Sequence, residues 1–154
     1  MADRGHPKAV VFGLDKMVSK RTIVPMKIIA DTNTFIAVAL NEPEKGKVIQ
    51  LTAGHELIAP DVLPFEIGNA LTAMMKKNAL KKEEVMSAWE IVQQIPVDLR
   101  HTDIKSALSI ATKFNLYAYD AYFLKCAENL HSPLLTLDLG MQRVAREMGI
   151  TILE

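Results

Sequence analysis

Met26 to Phe35 read MKIIADTNTF, and this stretch decides the fold class of the chain. A short apolar run, Ile28 to Ala30, is followed directly by Asp31, three polar residues and then the apolar residues from Phe35 onward. This order predicts a buried strand, an acidic turn and a helix. In open α/β sheets, ligands bind just beyond the carboxyl ends of the strands. Asp31 therefore stands where such a sheet places functional side chains.

The size and composition of the chain are those of one globular domain. Its 154 residues are 49% hydrophobic and 23% charged, far from a disordered or low-complexity composition. One cysteine excludes an intramolecular disulfide framework, and no apolar run approaches the roughly 18 residues that cross a membrane. We therefore expect a cytoplasmic protein that does not use a membrane.

The periodic pattern of the chain begins at Met26. Residues 1–25 lack it, so we predict an N-terminal extension of unknown role over 1–25 and a folded domain over 26–154. The net charge is zero, but residues 1–26 carry five Lys or Arg and two Asp, which leaves 13 basic and 16 acidic residues downstream. A polyanion would therefore be bound locally, with the help of bound cations.

Short apolar strands alternate with amphipathic helices from Met26 to the end of the chain. The predicted strands are Ile28–Ala30, Glu56–Ala59, Val97–Leu99, Leu134–Leu137 and Ile150–Leu153. Asp61 is a candidate N-cap for the helix after the second strand. Strands separated by helices favour an α/β fold with a parallel sheet covered on both faces.

Four acidic residues differ from the other acids of the chain, most of which lie in lysine-rich, solvated stretches. Asp31 and Asp138 each follow the end of a predicted strand. Glu66 and Asp120 each lie near the first turn of a predicted helix, among apolar neighbours. Two carboxylates about 4 Å apart repel by roughly 4 kcal/mol at an effective dielectric constant of about 20. Burying all four is tolerable only if they converge around a cation.

A ligand set made of oxygen atoms favours Mg²⁺ or Mn²⁺ over zinc, and the four histidines show no paired metal-ligand spacing. A metal at a strand edge suits phosphoryl chemistry. Each acid also has a structural interpretation on its own. Asp31 and Asp138 fit simple helix N-caps, Glu66 fits an exposed helix acid, and Asp120 fits the positive end of a helix dipole. The combination of the four favours the metal site.

Four short motifs, taken in order, carry a family resemblance. They are DTNTF from Asp31, PDVLPFEIGNAL from Pro60, YDAYFLKCA from Tyr119 and LLTLD from Leu134. Together they resemble the PIN-domain ribonucleases, particularly the VapC-type toxins of bacterial and archaeal toxin–antitoxin pairs, over Met26 to about Leu153. The resemblance implies a three-layer α/β/α sandwich with a short parallel sheet and a Mg²⁺- or Mn²⁺-dependent endoribonuclease. It also implies an RNA substrate, a homodimer and a small antitoxin that blocks the site.

The resemblance also gives roles to single residues. The acidic quartet of the family falls on Asp31, Glu66, Asp120 and Asp138. Its small polar position, two after the first acid, falls on Asn33, and its hydroxyl position, two before the last acid, falls on Thr136. We expect Asp31 and Asp120 to hold the principal metal, with Asp138 and Glu66 completing the cluster directly or through waters. We expect Asn33 and Thr136 to orient Asp31.

The segment after the last acid departs from the family pattern. Many relatives have a basic residue there, whereas this chain has Leu139, Gly140 and Met141. Contact with RNA phosphates is therefore left to the extension or to basic residues elsewhere in the fold. Those within the fold are Lys125, Arg143 and Arg146.

Two other functions remain open at this point. A catalytically inactive PIN-like module would only bind a partner, and metal affinity separates it from a nuclease. A haloacid-dehalogenase-like phosphatase also begins with an aspartate after its first strand. It normally needs a second aspartate two residues later, where this chain has Asn33.

Overall fold

A four-stranded parallel sheet forms the centre of the fold, which a computed structural model describes for residues 24–154. Its strands are β1 (Lys27–Ala30), β2 (Glu56–Pro60), β3 (Asp98–Arg100) and β4 (Leu134–Leu135). They lie in the order β3-β2-β1-β4, and every neighbouring pair is parallel. Residues 1–23 of the predicted extension lie outside the described residues.

Seven helices connect and cover these strands within residues 24–154. They are α1 (Thr32–Ala39), α2 (Lys45–Thr52), α3 (Leu63–Lys76), α4 (Lys82–Gln93), α5 (Ile104–Phe114), α6 (Ala118–Leu130) and α7 (Leu139–Glu147). α1 contacts α2, α3 and α4, whereas α6 contacts α5, α7 and the central strands β1 and β2. The predicted α/β sandwich with a short parallel sheet is confirmed. None of these helices has the length and apolar character that a membrane crossing requires.

The centre of the sheet is strongly apolar. Ile28, Ile29 and Ala30 of β1 are fully buried, as are Ile58 and Ala59 of β2. Strands buried on both faces have continuous apolar runs rather than alternation, because helices cover both sides. The chain then leaves the core at Asp31, so the first polar side chain after β1 lies at the edge of the sheet.

The predicted fifth strand, Ile150–Leu153, is not formed as a strand. Ile152 makes one isolated parallel bridge with Leu134, in which the Leu153 amide donates to the Leu134 carbonyl at 2.9 Å. β4 offers little more to pair with, since its ladder ends at Leu135 rather than at the predicted Leu137. The ladder stops there because its partner β1 ends at Ala30, which pairs with Leu135, and the chain enters α1 at Thr32.

Asp61 does not cap α3, contrary to the sequence prediction. The helix begins at Leu63 with Val62 as an N-cap that makes no side-chain bond. The Asp61 carboxylate instead accepts a hydrogen bond from the Thr102 hydroxyl at 2.6 Å, and its amide donates to the Arg100 carbonyl at 2.8 Å. Asp61 therefore joins the end of β2 to the end of β3. Pro64 in the first turn of α3 also removes one amide that a cap would satisfy.

Candidate metal centre

All four predicted acids line one open cleft of about 250 Å³ at the edge of the sheet. Asp31 follows β1, Glu66 lies in the first turn of α3, Asp120 in the first turn of α6, and Asp138 directly before α7. The remaining lining residues are Thr32, Asn33, Phe123 and Met141. Four elements far apart in sequence therefore bring their acids together, as the sequence analysis expected.

Asp31 is buried, with 4% of its surface exposed, and its carboxylate is held on both sides. Oδ1 accepts from the Thr34 amide at 3.0 Å and from the Thr34 hydroxyl at 2.7 Å. Oδ2 accepts from the Thr136 hydroxyl at 2.5 Å. Asp31 is thus the N-cap of α1, as its structural interpretation required, and it also lines the cleft.

Thr136 connects Asp31 to the last acid of the cleft. Its hydroxyl donates to Asp31 Oδ2 and accepts from the Asp138 amide at 3.1 Å. Asp138 in turn caps α7, because its Oδ1 accepts from the Met141 amide at 2.9 Å. The predicted role of Thr136 as a partner of Asp31 therefore agrees with the geometry.

Asn33 does not have the position that the sequence analysis expected. Its side chain is exposed and lines the cleft, but no hydrogen bond joins it to Asp31 within residues 24–154. Thr34 makes that contact instead. The reason is helical geometry, because a side chain at the third helical position points back to the N-cap. An aspartate followed three residues later by a threonine was the signal that could have identified Thr34.

Among residues 24–154, two buried polar atoms of residues that line the cleft have no hydrogen-bond partner. They are Glu66 Oε2 and Thr32 Oγ1. The two groups are close enough for the Thr32 hydroxyl to lower the pKa of Glu66 in part, but their geometry does not form a hydrogen bond. A buried acceptor left without a donor is costly, so Glu66 Oε2 is an atom that a cation or a water proton would stabilise.

The charges in the cleft are all negative. Burial raises the pKa of Asp31, Glu66 and Asp120 above that of a free carboxyl group. Repulsion between carboxylates raises these pKa values further. Asp138 acts in this way on Asp31 and on Asp120. Asp120 and Asp31 act in this way on Glu66. No Lys, Arg or His lines the cleft in the part of the chain that the structure describes. The repulsion is therefore not compensated by a basic side chain.

The donor atoms of the cleft suit a hard divalent ion, although they do not form a closed cage. Across residues 24–154, no group of three or more Asp, Glu, His or Cys side chains is arranged to hold an ion by itself. Mg²⁺ commonly binds in this way, through one or two carboxylates with waters and substrate phosphates completing its coordination. The carboxylate oxygens and the unpartnered Glu66 Oε2 fit such an ion.

Comparison with known proteins assigns the fold to a family. Residues 28–147 match the family model of the PIN domain. The chain belongs to the PIN domain family. Ribonuclease VapC3 of Pyrobaculum aerophilum is 25% identical over 118 residues, which cover 73% of this chain and 90% of that protein. The crystal structure of PAE2754 from the same organism has a TM-score of 0.59 at 18% identity, and the match covers 79% of this chain and 87% of that one. The similarity to this crystal structure concerns the fold alone.

The raised pKa values of this PIN domain predict a pH-dependent stability without metal. Asp120 binds protons more tightly in the folded than in the unfolded state, so its contribution to stability is lost as pH rises above the ordinary carboxyl range near about 4. We expect Asp120→Asn to match the wild type at low pH and to unfold a few degrees higher at neutral pH. Thermal unfolding of metal-free protein between about pH 4 and about pH 8 measures this difference.

Glu90→Gln is the matched control for that comparison. Glu90 is an exposed acid on α4 and does not line the cleft. Its variant should show no pH-dependent gain over the wild type. An Asp120→Asn curve that stays parallel to the wild type at every pH would contradict the electrostatic description of the cleft.

Proposed function

We propose that this PIN domain is a metal-dependent endoribonuclease that hydrolyses RNA phosphodiester bonds. The observation that carries the proposal is the convergence of four carboxylates on one cleft without a basic side chain in its lining. A bound Mg²⁺ or Mn²⁺ would offset the repulsion between these carboxylates. At carboxylate sites these ions commonly support phosphoryl chemistry. The likeness to a protein named a ribonuclease supports RNA as the substrate.

The residues of the cleft divide the work of hydrolysis. Asp31 and Asp120 would hold the cation, with Asp138 acting directly or through a water, and a bound Mg²⁺ or Mn²⁺ would supply a Lewis acid for the phosphodiester. Glu66 orients the attacking water, and its unpartnered Oε2 takes the proton that the water loses as its oxygen bonds to phosphorus. The P–O bond to the leaving sugar oxygen breaks, and that oxygen takes a proton from solvent. Burial is the first cause that raises the pKa of Glu66 above that of a free carboxyl group, and a raised pKa makes its carboxylate a stronger proton acceptor. Thr136 keeps the Asp31 carboxylate in place.

The biological setting belongs to the same proposal. We infer that the protein is the toxin of a type II toxin–antitoxin pair in the cytoplasm, that it forms a homodimer, and that a cognate antitoxin blocks its cleft. The VapC name of the relative supports this setting. Induced synthesis in bacterial cells should stop growth, and Asp31→Asn should restore it. Continued growth with active, soluble enzyme would contradict the toxin role, and the mass in solution tests the dimer.

Substrate class separates the proposed activity from the two alternatives. We expect purified protein with Mg²⁺ or Mn²⁺ to cut RNA internally and to leave a phosphomonoester such as p-nitrophenyl phosphate intact. Release of phosphate from the monoester would favour a phosphatase of the haloacid-dehalogenase type. If the protein binds neither RNA nor the monoester when Mg²⁺ or Mn²⁺ is present, a partner-binding module would be favoured.

Among the basic residues proposed for RNA contact, Arg143 is the one without an acidic partner in residues 24–154. Arg146 is paired with Glu154, and Lys125 is paired with Glu128 at 2.8 Å. Arg143 is exposed on α7, the helix that Asp138 caps. Its exposure and the lack of an acidic partner within residues 24–154 favour Arg143 as a phosphate contact.

Removal of Arg143 should weaken RNA binding through one lost phosphate contact. In an Asp31→Asn background, in which cleavage is strongly slowed, we expect Arg143→Ala to lower affinity a few-fold. The slope of log K against log salt should become shallower by about 0.7, the value for one phosphate on a single strand. Fluorescence anisotropy over a salt series measures both quantities. Arg146→Ala is the paired control and should change them less; equal slopes for Arg143→Ala and its parent would rule out the contact.

A further inference from the structure

The Asp31 carboxylate has few acceptor positions left. An ionised carboxylate offers about four lone-pair positions on its two oxygens. The Thr34 amide and hydroxyl take two of them, both on Oδ1, and the Thr136 hydroxyl takes one on Oδ2. Protein donors therefore fill Oδ1 and leave one position, which lies on Oδ2.

The Thr34 hydroxyl is the donor that completes Oδ1. Thr34 is 2% exposed, and its hydroxyl lies 2.7 Å from Asp31 Oδ1 but 3.4 Å from the Leu135 carbonyl of β4. A hydroxyl has one proton to donate, and the shorter contact to the charged oxygen is the stronger of the two. The helix cap needs only the Thr34 amide. The hydroxyl is therefore an addition to the cap, aimed at the carboxylate.

We propose that Thr34 is a positioning residue that makes Asp31 bind its cation through Oδ2 alone. The inference rests on the proposed function of the cleft as a metal site. With both positions of Oδ1 filled, the carboxylate cannot turn to offer two oxygens at once. Without the hydroxyl, Oδ1 keeps only the amide bond, and the orientation of the group is less fixed. Partners of this kind commonly change metal affinity by about 10-fold to 100-fold when they are removed.

Thr34→Val tests the proposal because it removes the hydroxyl and keeps the shape and the backbone amide. We expect the dissociation constant for Mn²⁺, measured by calorimetry on the full chain, to rise about tenfold. Thr34→Ser keeps a hydroxyl on the same carbon and should restore most of the affinity. If Thr34→Val does not fold, Thr34→Ala goes through the same titration, since it also lacks the hydroxyl.

Thr52→Val is the matched control for a structural effect. Thr52 is also 2% exposed, its hydroxyl donates to the Val48 carbonyl at 2.7 Å, and it does not line the cleft. It should lower the unfolding midpoint much as Thr34→Val does and leave Mn²⁺ affinity unchanged. Unchanged affinity in Thr34→Val, or an equal loss in Thr52→Val, would overturn the role of Thr34 and leave the metal site standing. A folded wild type that binds no Mn²⁺ would overturn both.

Discussion

Asp31→Asn is expected to cut RNA about a thousandfold more slowly than the wild type while remaining folded. The variant removes the charge at the most buried acid of the cleft, and a lost Lewis-acid interaction of several kcal/mol corresponds to about three factors of ten. The fold should persist because an asparagine oxygen can still accept from the Thr34 amide and hydroxyl. Cleavage rates with Mg²⁺ or Mn²⁺, beside a thermal unfolding curve, test both parts.

The chain offers a close control for the capping role of Asp31. Asp103 caps α5 outside the cleft through a residue three positions later, as Asp31 caps α1, although its two donors go to different oxygens: the Ser106 amide donates to Oδ1 at 3.2 Å and the Ser106 hydroxyl to Oδ2 at 2.6 Å. Asp103→Asn should alter stability but not cleavage. Normal cleavage by Asp31→Asn would remove Asp31 from the mechanism, and an equal loss in Asp103→Asn would mean that capping explains the effect.

A second large effect is expected from the metal itself. A ligand at about 100 times its dissociation constant stabilises a protein by about 2.7 kcal/mol. For a domain of this size, that raises the unfolding midpoint by about 5 to 10 °C. We expect Mn²⁺ to produce such a shift in the wild type, chelator to reverse it, and Asp120→Asn to lose most of it. Scanning calorimetry with and without Mn²⁺ measures the shift.

Glu90→Gln again serves as the control, because Glu90 is an acid that does not line the cleft. It should show the full Mn²⁺ shift. A wild type that gains no stability with Mn²⁺, or an Asp120→Asn protein that gains as much as the wild type, would contradict the assignment of the cleft as a metal site.

The sequence was sufficient to predict the strands of the sheet and the convergence of the acids. Continuous apolar runs indicate buried strands, and the carboxyl ends of parallel strands lie at one edge, so Asp31 and Asp138 were expected at the same edge. Their strands are neighbours because β1 pairs with β4, which the sequence does not show. Glu66 and Asp120 were placed by their first-turn positions against apolar faces. Asp31 can both cap α1 and line the cleft, because its cap bond to the Thr34 amide uses Oδ1 only.

The sequence predictions that failed depend on contacts between residues distant in sequence or on the geometry of the first helical turn. Asp61 bonds to Thr102, 41 residues later, and local capping rules do not anticipate this contact. The strand predicted at Ile150–Leu153 depends on a partner, β4, that is only two residues long because its own partner β1 ends at Ala30. Of the two partners predicted for Asp31, Thr136 makes the contact and Asn33 does not, because the first helical turn brings Thr34 back to Asp31.

A Mn²⁺ titration of RNA cleavage, run on one preparation beside calorimetric binding of the same ion, tests the proposed metal-dependent nuclease. We expect internal cleavage that rises with Mn²⁺, saturates in the concentration range of binding, and disappears with chelator and in Asp120→Asn. Cleavage that persists in chelator or in Asp120→Asn would contradict it. So would a folded wild-type protein that neither binds Mn²⁺ nor cuts RNA, a result that favours a partner-binding module.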